Sequence, residues 1–342
     1  MTDVSTRAAT GADVPGGADA ARGLVLRRLR DLALVPALVV LVVLGALLNG
    51  EFLTYANIIS ILGASAALAL VVLGEGLILI SGKIDLSLES TVGIAPAVGA
   101  LVVLPAASSG LGLQWPTGVG LALILVVGAV IGWFNGMLVV KFKLNAFIVS
   151  LAMLIVLRGL LVGFTKGKTL FDMPGAFFAL ANVTFAGIPV SAWLAAVAFG
   201  LAGLALRYLR VGRALYAIGG NAGAARAAGI RVERVTWSVY VVAGVLASIG
   251  GLVQTGYVGA LNANQGQNMI FMVMAAAVIG GLSLDGGKGT MFGALTGVLL
   301  IGVVNNLLTL AHVSSFWIQA IQGAIILVAL GIARLTTGKA QT

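Results

Sequence analysis

The chain alternates between long apolar stretches and short polar connections. Ten apolar windows are long enough, or nearly so, to cross a bilayer, because a spanning α-helix needs about 20 apolar residues. They are residues 32–49, 57–80, 88–104, 117–140, 145–163, 190–208, 235–257, 269–283, 290–310 and 314–334. Windows 88–104 and 269–283 are short, which favours broken or tilted helices. The pattern predicts an all-α integral membrane protein, a bundle of about ten transmembrane helices that includes broken helices.

Composition agrees with this fold class. The 342 residues are 60% hydrophobic and 9% charged, whereas a soluble domain carries about 25% charged residues. The 48 glycines suit close helix packing in lipid, and the short alternating segments of a β-barrel are not seen. The sequence has no cysteine and one histidine, which excludes disulfides, thiolate metal sites and histidine-based metal clusters.

The positive charges predict the orientation. If the N-terminus is inside, seventeen of the twenty Lys and Arg residues fall in inner segments, Lys166 and Lys168 fall outside, and Arg158 lies within a window. This asymmetry follows the positive-inside rule and predicts that both termini are cytoplasmic. It also makes the net charge of +9 a matter of topology and not of nucleic-acid binding. Residues 1–24 are small and polar and predict a disordered cytoplasmic tail, which leaves 25–342 as the transmembrane domain.

Charged residues interrupt the apolar pattern in LILISGKIDLSLES, residues 77–90. Charges within a bilayer are costly. Gly82 breaks the helix, and Asp85 or Ser87 is placed to cap the start of the third window. Lys83 and Asp85 each complement the dipole of the nearer helix end. These residues are interpreted as a capped turn at the membrane face.

Glu75 lies inside the second window, between two glycines. A buried carboxylate without a partner becomes protonated or finds a pair. Lys83 is too far along the helix for a direct ion pair, while Glu89 is expected to face the same interior. Two hypotheses remain for Glu75. Either it serves a polar pathway or a helix contact, or it is a neutral, hydrogen-bonded structural residue.

Residues 207–234, RYLRVGRALYAIGGNAGAARAAGIRVER, form the most soluble-looking segment. Asn221 is a good N-cap, helix-forming residues follow, and Gly229 is a natural stop. We predict a helix of about two turns, attached through Gly219–Gly220 at its start, that is too short to be stable alone. It either packs against a partner or binds anionic lipid through its arginines.

GRALYAIGGNAGAARAAGI resembles the cytoplasmic coupling loop of bacterial ABC importer permeases of the ribose, arabinose and xylose (monosaccharide) type. ISGKIDLSLES, LNAFIVSLAMLIVLRGL and AAAVIGGLSLDGGKGTMFGALTGVLLIGVVNNLLTL resemble other segments of that family. The resemblance covers about residues 30–335. Departures occur at Lys83 and Glu89, where the family usually has Gly, at Glu75, usually uncharged, and at Asn145, which replaces a common Pro-ending loop. They suggest a subfamily with a different or more polar solute.

The resemblance implies a permease subunit that translocates a small hydroxylated solute, such as a monosaccharide or related polyol, across the bacterial cytoplasmic (inner) membrane. An extracytoplasmic solute-binding protein would deliver the solute, and a second permease chain, expected to form a homodimer, would complete the channel. A cytoplasmic ABC ATPase would bind ATP and Mg²⁺ and receive the short coupling helix. The chain itself is then expected to be a transport subunit and not an enzyme, and to carry no cofactor. It is expected to contact the lipid bilayer and to bind no nucleic acid.

Two sets of site residues follow. The resemblance assigns contact with the ATPase to the coupling loop: Arg213, Tyr216, Gly219, Gly220, Asn221, Ala224, Ala225, Arg226, Ala228 and Gly229. Polar and acidic residues within or beside the apolar windows are predicted to line the transport path: Glu75, Asp85, Glu89, Asn135, Gln254, Asn305 and Asn306. For each amide in the second set, interhelical hydrogen bonding is the alternative.

The energy source must lie outside the chain. GFTKGKT ends like a phosphate-binding loop, but three residues separate Gly163 from Gly167 where that motif needs four. A proton-coupled secondary transporter that uses Glu75 or Asp85 is the alternative function, since Gly-interrupted spans occur in that class as well. The coupling loop separates the two, because a secondary transporter has no ATPase to contact.

Overall fold

The computed structural model describes residues 34–337, and the predicted tail of residues 1–24 lies outside them. The described chain is almost wholly helical. In chain order its helices are α1 (Leu34–Leu48), α2 (Tyr55–Ile80), α3 (Leu88–Val103), α4 (Thr117–Gly136, continued by a π-helical turn, Met137–Lys141), α5 (Ala146–Thr165), α6 (Ala179–Asn182), α7 (Val190–Tyr208), α8 (Arg210–Gly220), α9 (Ala222–Ala227), α10 (Val232–Val258), α11 (Met269–Ile279), α12 (Met291–Leu310) and α13 (Ser315–Thr337).

The connections contain little regular structure. Two 3-10 turns occur at Ala106–Ser108 and Gly175–Phe177, and a small antiparallel hairpin pairs β1 (Thr184–Phe185) with β2 (Ile188–Pro189). Among residues 34–337, six helices are long and apolar enough to cross a membrane, namely α2, α4 with its continuation, α5, α7, α10 and α12. The helices α1, α3 and α11 are apolar but shorter. The chain is therefore a multi-pass helical membrane protein, and each of the ten predicted windows overlaps one helix.

The centre of the bundle is α10, which packs against α2, α3 and α4. Gly128, Gly132 and Gly136 form one face of α4, and an ideal Cβ on Gly132 would lie 2.1 Å from the carbonyl oxygen of Tyr240. An ideal Cβ on Gly244 of α10 would lie 2.1 Å from the carbonyl oxygen of Gly128. Small residues every four positions let the two backbones touch, which is how helices associate where lipid removes the hydrophobic driving force.

Helix α3 begins inside the bundle, not at its surface. The chain leaves α2 through Gly82, whose φ is +75°, and returns alongside α2, so that the backbone N–H of Asp85 reaches the carboxylate of Glu75. Ser90 Oγ donates to the carbonyl of Leu154, about 12 Å beyond the start of α5 at 1.5 Å per residue. The short third window is therefore a helix, α3, whose first turn lies in the interior of the bundle.

Helix α11 also begins inside the bundle. The preceding residues, 259–268, fold inward, and the side-chain amide of Gln265 donates to the carbonyls of Val92 and Gly251. With 11 residues, α11 is about 17 Å long, little more than half of a hydrocarbon core of about 30 Å. Irregular backbone at this depth is tolerated because it is buried in protein.

The loops sort into two opposite faces. On one, called the coupling face, the N–H of Gly287 donates to the carbonyl of Ile80, and Tyr216 Oη donates to the carbonyl of Gly289. On the other, Leu170 and Leu261 pair through their backbones. This sorting agrees with the alternation of inner and outer loops that the sequence predicts.

Helix α8 was not predicted from the sequence, and neither was the four-residue helix α6. Gly219 and Gly220 were expected to form a loop before the short helix, but they are the last residues of α8. That prediction is wrong because tertiary packing overrides the low helix propensity of glycine. Gly212, Leu215 and Ile218 are buried along one side of α8, which holds it against the bundle.

Candidate functional site

The short helix after α8 matches its prediction. Helix α9 spans Ala222–Ala227, and the side chain of Asn221 caps it by accepting a hydrogen bond of 2.9 Å from the N–H of Ala224. Gly229 follows with a φ of +82°, a conformation that favours glycine at helix ends. Local capping chemistry therefore sets where this helix begins and ends.

Helix α9 presents a small-residue surface outward. Of the predicted contact residues, Ala225 points inward and is buried with Ile218 and Val232. Asn221, Ala224, Arg226, Ala228 and Gly229 are exposed. The outer surface of α9 is therefore made mostly of alanine and glycine, which allows another backbone to approach closely.

The two arginines among the predicted contacts already have partners in the chain. Arg226 Nη2 lies 2.6 Å from Glu233 Oε1, with both side chains about half exposed, at 58% and 52%. Exposed ion pairs contribute little stability, so this pair does not prevent Arg226 from making another contact. Arg213 Nη1 donates to the carbonyl of Tyr208 at 3.2 Å.

Four glycines, Gly82, Gly219, Gly286 and Gly287, connect α8 to the rest of the bundle, and we call them the glycine junction. An ideal Cβ on Gly219 would lie 1.9 Å from the carbonyl oxygen of Ile80 and 2.4 Å from the nitrogen of Gly287. A Cβ on Gly286 would lie 2.6 Å from the Cα of Gly82. The end of α8, one residue before the cap of α9, thus touches the end of α2 through backbone atoms.

A buried polar cluster lies next to this junction, formed by Glu75, Asp85, Ser87 and Asn135, and we call it the carboxyl cluster. Asp85 Oδ1 accepts hydrogen bonds from the backbone N–H and the hydroxyl of Ser87 at 2.9 and 2.6 Å. Asn135 Nδ2 donates to Asp85 Oδ2 at 3.2 Å and to Ser87 Oγ at 2.6 Å. The carboxylate of Glu75 accepts from the N–H of Asp85 at 3.2 and 3.3 Å.

Asp85 lies in the connection between α2 and α3, as predicted, but its burial corrects the expectation that it sits at the membrane face. Glu75 and Asp85 are both 0% exposed, whereas Lys83 is exposed. Two neighbouring carboxyls in a low-dielectric interior do not both ionise without a compensating charge. Asp85 accepts hydrogen bonds from three donor groups, whereas Glu75 accepts from the backbone N–H of Asp85.

Unpartnered polar atoms occur beside the carboxyl cluster. Within residues 34–337, the hydroxyl of Tyr240 and Oδ1 of Asn135 are buried without a hydrogen-bond partner. Tyr240 packs against α4 next to Asn135, since an ideal Cβ on Gly136 would lie 3.2 Å from the Cβ of Tyr240. The sequence analysis did not identify Tyr240, because a tyrosine within an apolar window carries no signal of its own.

Glu89 belongs to a second buried cluster. Its Oε1 lies 3.1 Å from Arg158 Nη2, and its Oε2 accepts from the N–H of Ile270 at 3.2 Å. Arg158 Nη1 also donates to the carbonyl of Gln265. A carboxylate at the N-terminus of α11 is favoured by the helix dipole. Glu89 was expected to face the same interior as Glu75, but the two acids have separate partners.

The remaining predicted path residues are dispersed. Asn306 exchanges two hydrogen bonds with Asn57, at 2.7 and 3.0 Å, and Asn305 Oδ1 accepts from Gln322 Nε2 at 2.9 Å. Gln254 Oε1 is buried, and no partner for it occurs among the described residues. The fold therefore brings Glu75, Asp85 and Asn135 together, but it places Glu89, Asn305, Asn306 and Gln254 elsewhere.

Two basic side chains flank an open crevice on the coupling face. It has a volume of about 450 Å³ and is lined by Gly82, Lys83, Lys143, Asn145 and Leu284, among others. Lys83 and Asp85 are two residues apart, so the crevice and the carboxyl cluster share the connection between α2 and α3. No group of three or more His, Cys, Asp or Glu side chains that could hold a metal ion occurs within residues 34–337.

Comparisons with known proteins place this geometry in context. A family described as "Branched-chain amino acid transport system / permease component" matches residues 57–330. The ribose import permease protein RbsC of Escherichia coli K12 is 33% identical over 304 residues, covering 86% of this chain and 90% of the relative. The corresponding protein of Haemophilus influenzae is 31% identical over 298 residues, with the same coverage.

A relative with a different named solute matches equally well. The autoinducer 2 import system permease protein LsrC of Klebsiella pneumoniae is 32% identical over 299 residues, covering 87% of this chain and 84% of the relative. No solved structure matches the chain. The family model covers residues 57–330, which include both polar clusters and the coupling face.

Proposed function

The chain belongs to the permease-component family of the branched-chain amino acid transport type, and from this premise we propose that it moves a small hydroxylated solute, a monosaccharide or related polyol, through the bacterial inner membrane. It acts as the membrane-spanning subunit of an ATP-binding-cassette importer. The observation that carries the proposal is its similarity, over most of its length, to permeases named for the import of ribose and autoinducer 2. Solute transport by a proton gradient through Glu75 or Asp85 is not favoured by these relatives.

The proposed topology has ten crossings with both termini in the cytoplasm. Helices α1, α3, α11 and α13 complete the set begun by the six longest, with α3 and α11 as broken crossings. Ten of the described Lys and Arg residues lie in loops or helix ends of the coupling face, and two, Lys166 and Lys168, lie on the opposite face. This distribution supports placing the coupling face in the cytoplasm.

The proposed energy input is a partner ATPase that binds ATP and Mg²⁺ and contacts α9. The exposed alanines of α9 would fit a groove on that partner, with Arg226 and Arg213 as polar contacts. Motion of α9 would pass through the glycine junction to the end of α2, because backbone contacts without intervening side chains leave little room for slippage. The permease needs no cofactor of its own in this scheme, and it performs no chemical reaction.

The proposed transport path begins where a solute-binding protein docks on the face opposite to the coupling face. Glu75, Asp85 and Asn135 would adjoin its inner part, and Gln254, Asn305, Asn306 and Glu89 would border or brace it. A second copy of the permease would complete the path. We propose α5 as the surface for this pairing, since large apolar side chains along it, such as Phe147, Ile155 and Leu160, are exposed in the single chain.

A charge reversal tests the coupling proposal. We expect Arg226→Glu to prevent co-purification of a P-loop ATPase with the tagged permease and to abolish ATP-dependent ribose uptake into right-side-out vesicles. Glu233→Gln breaks the same surface ion pair while it keeps the Arg226 side chain, so this variant should retain both properties. Equal loss in both variants would show that the ion pair, and not an ATPase contact, matters.

The alternative function gives a different result. If the chain purifies without an ATPase and accumulates solute when a proton gradient is imposed without ATP, then the importer proposal is wrong. The two outcomes are distinguished in one preparation by supplying ATP or the gradient separately.

A further inference from the structure

Helix α9 is too small to form the whole contact with a partner protein. It has six residues, and its outward surface consists mostly of alanine and glycine. Its one charged residue, Arg226, is already paired with Glu233. A specific interface buries about 800 Å² on each partner and involves about 20–30 residues a side. A partner that contacts α9 must therefore cover neighbouring parts of the coupling face, where further charged groups can orient it.

The open crevice on the coupling face lies within reach of such a partner. Gly82 is one of its lining residues, and an ideal Cβ on Gly82 would lie 3.5 Å from the Cα of Gly219. Gly219 is three residues before Ala222, where α9 begins, which is no more than about 11 Å of chain. Since a round patch of about 800 Å² is about 30 Å across, an interface centred on α9 extends to the crevice.

Two lysines give the crevice its charge. Lys83 and Lys143 both line it, and both are exposed. The ion pairs within residues 34–337 involve arginines, so neither lysine is paired with a carboxylate there. Asp285 follows the lining residue Leu284 but forms no ion pair with either lysine. Two like charges that share one recess repel each other, and an anion between them reverses this effect.

We propose that the crevice accepts an aspartate or glutamate side chain of the ATPase that contacts α9, with its carboxylate bound between the ammonium groups of Lys83 and Lys143. This inference rests on the proposed function. The volume of about 450 Å³ is that of a small-ligand site, so the recess admits a side chain. Its lining comes from the connections α2–α3, α4–α5 and α11–α12 and the first turn of α5. Lipid approaches along the sides of spanning helices, so a lining of loops favours a protein partner.

A carboxylate bound at Lys83 would act on the connection between α2 and α3. Lys83 is two residues before Asp85, which is buried in the carboxyl cluster and whose N–H donates to Glu75. The ATPase would thus hold the backbone that positions Asp85 directly. This contact is separate from the glycine junction, through which motion of α9 reaches the end of α2.

The experiment measures how tightly the ATPase binds. The full-length tagged chain is purified with the P-loop ATPase that accompanies it, and the ATPase is released with salt. Its affinity is then measured for wild-type and variant chains in phosphatidylcholine nanodiscs. Lys83→Gln and Lys143→Gln should each weaken binding about threefold, the effect of one exposed ion pair, and the double variant should weaken it about tenfold. Lys83→Arg with Lys143→Arg keeps both charges and should bind like the wild type.

A matched control removes a charge outside the crevice. Arg207 is exposed at the end of α7, and Arg207→Gln should leave the affinity unchanged. If Arg207→Gln weakens binding as much as a lysine variant does, or if the double glutamine variant binds like the wild type, the proposal is wrong.

Two further outcomes separate this inference from its alternatives. If the double glutamine variant binds the ATPase normally but retains less phosphatidylglycerol in native mass spectrometry, the crevice binds a lipid headgroup and the proposal is wrong. If no ATPase accompanies the wild-type chain, the importer proposal is wrong and this inference falls with it. Wild-type binding that does not respond to the lysines refutes this inference alone.

Discussion

Two adjacent glycines at the end of α8 allow a direct test of the glycine junction. An ideal Cβ on Gly219 would lie 1.9 Å from the carbonyl oxygen of Ile80 and 2.4 Å from the nitrogen of Gly287. An ideal Cβ on Gly220 would have no atom of the described residues within 4 Å. The same substitution at neighbouring positions of one helix therefore meets backbone in one case and open space in the other.

The expected energies differ in sign. Replacing glycine with alanine in a helix favours folding by up to about 1 kcal/mol through lower chain entropy, and Gly220→Ala should be neutral or gain part of this. Gly219→Ala must move α8 away from α2 by more than 1 Å, and overpacking of this kind costs typically about 1–3 kcal/mol. We expect a separation of about 2 kcal/mol between the variants, with Gly219→Ala the less stable.

The assay combines stability with coupling. Thermal unfolding of the purified chains should show a lower midpoint for Gly219→Ala than for Gly220→Ala, and solute uptake driven by ATP should fall in Gly219→Ala alone. Because the two variants share chemistry, helix and purification, a difference between them reports on the contact. If both variants unfold and transport like the wild type, α8 and α2 are not coupled through backbone contact, and the mechanical link from α9 must run elsewhere.

Three further predictions concern the cap and the buried clusters. Asn221→Ala removes the α9 cap and should destabilise that helix by about 1 kcal/mol, lowering ATPase co-purification, while Asn221→Ser should restore it; equal behaviour would show that the cap is dispensable. Glu89→Gln should destabilise the chain by about 1–3 kcal/mol, since it removes the charge that pairs with the partly buried guanidinium of Arg158; a thermal midpoint equal to the wild type would contradict this. Glu75→Gln keeps an acceptor for the N–H of Asp85, so it should preserve assembly, as judged by gel filtration, and impair uptake; normal uptake would remove Glu75 from the transport path.

Local signals explain where the sequence analysis succeeded. A helix in lipid must satisfy its own backbone hydrogen bonds, so an apolar run of sufficient length has almost one structural solution, and the windows at 57–80 and 190–208 closely match α2 and α7. The cap of α9 lies within three residues of Asn221, and the glycine stop is equally local. Capping preferences act over one turn and can be read from neighbouring letters.

The amphipathic pattern of α8 is difficult to recognise in the sequence. Its buried side is formed by Gly212, Leu215 and Ile218, a narrow stripe in which the first member is glycine. An ideal Cβ on Gly212 would lie 2.3 Å from the Cα of Leu206, so close approach of two backbones, and not a hydrophobic side chain, positions the start of this helix. A glycine in a sequence is as consistent with a turn as with close packing of two backbones. Only the position of the neighbouring helix shows which of the two is present.

The amino-acid sequence by itself determined the membrane class, the approximate helix positions and the short capped helix, because each depends on apolar length or on contacts within one turn. The partners of the buried charges were decided by tertiary structure alone. Glu89 meets Arg158 across 69 positions and the N–H of Ile270 across 181, and Asn135 reaches Asp85 across 50. An unpaired charge in lipid is costly, so a buried charge is expected to find a partner. Which side chain becomes that partner depends on where the short helices α3 and α11 begin.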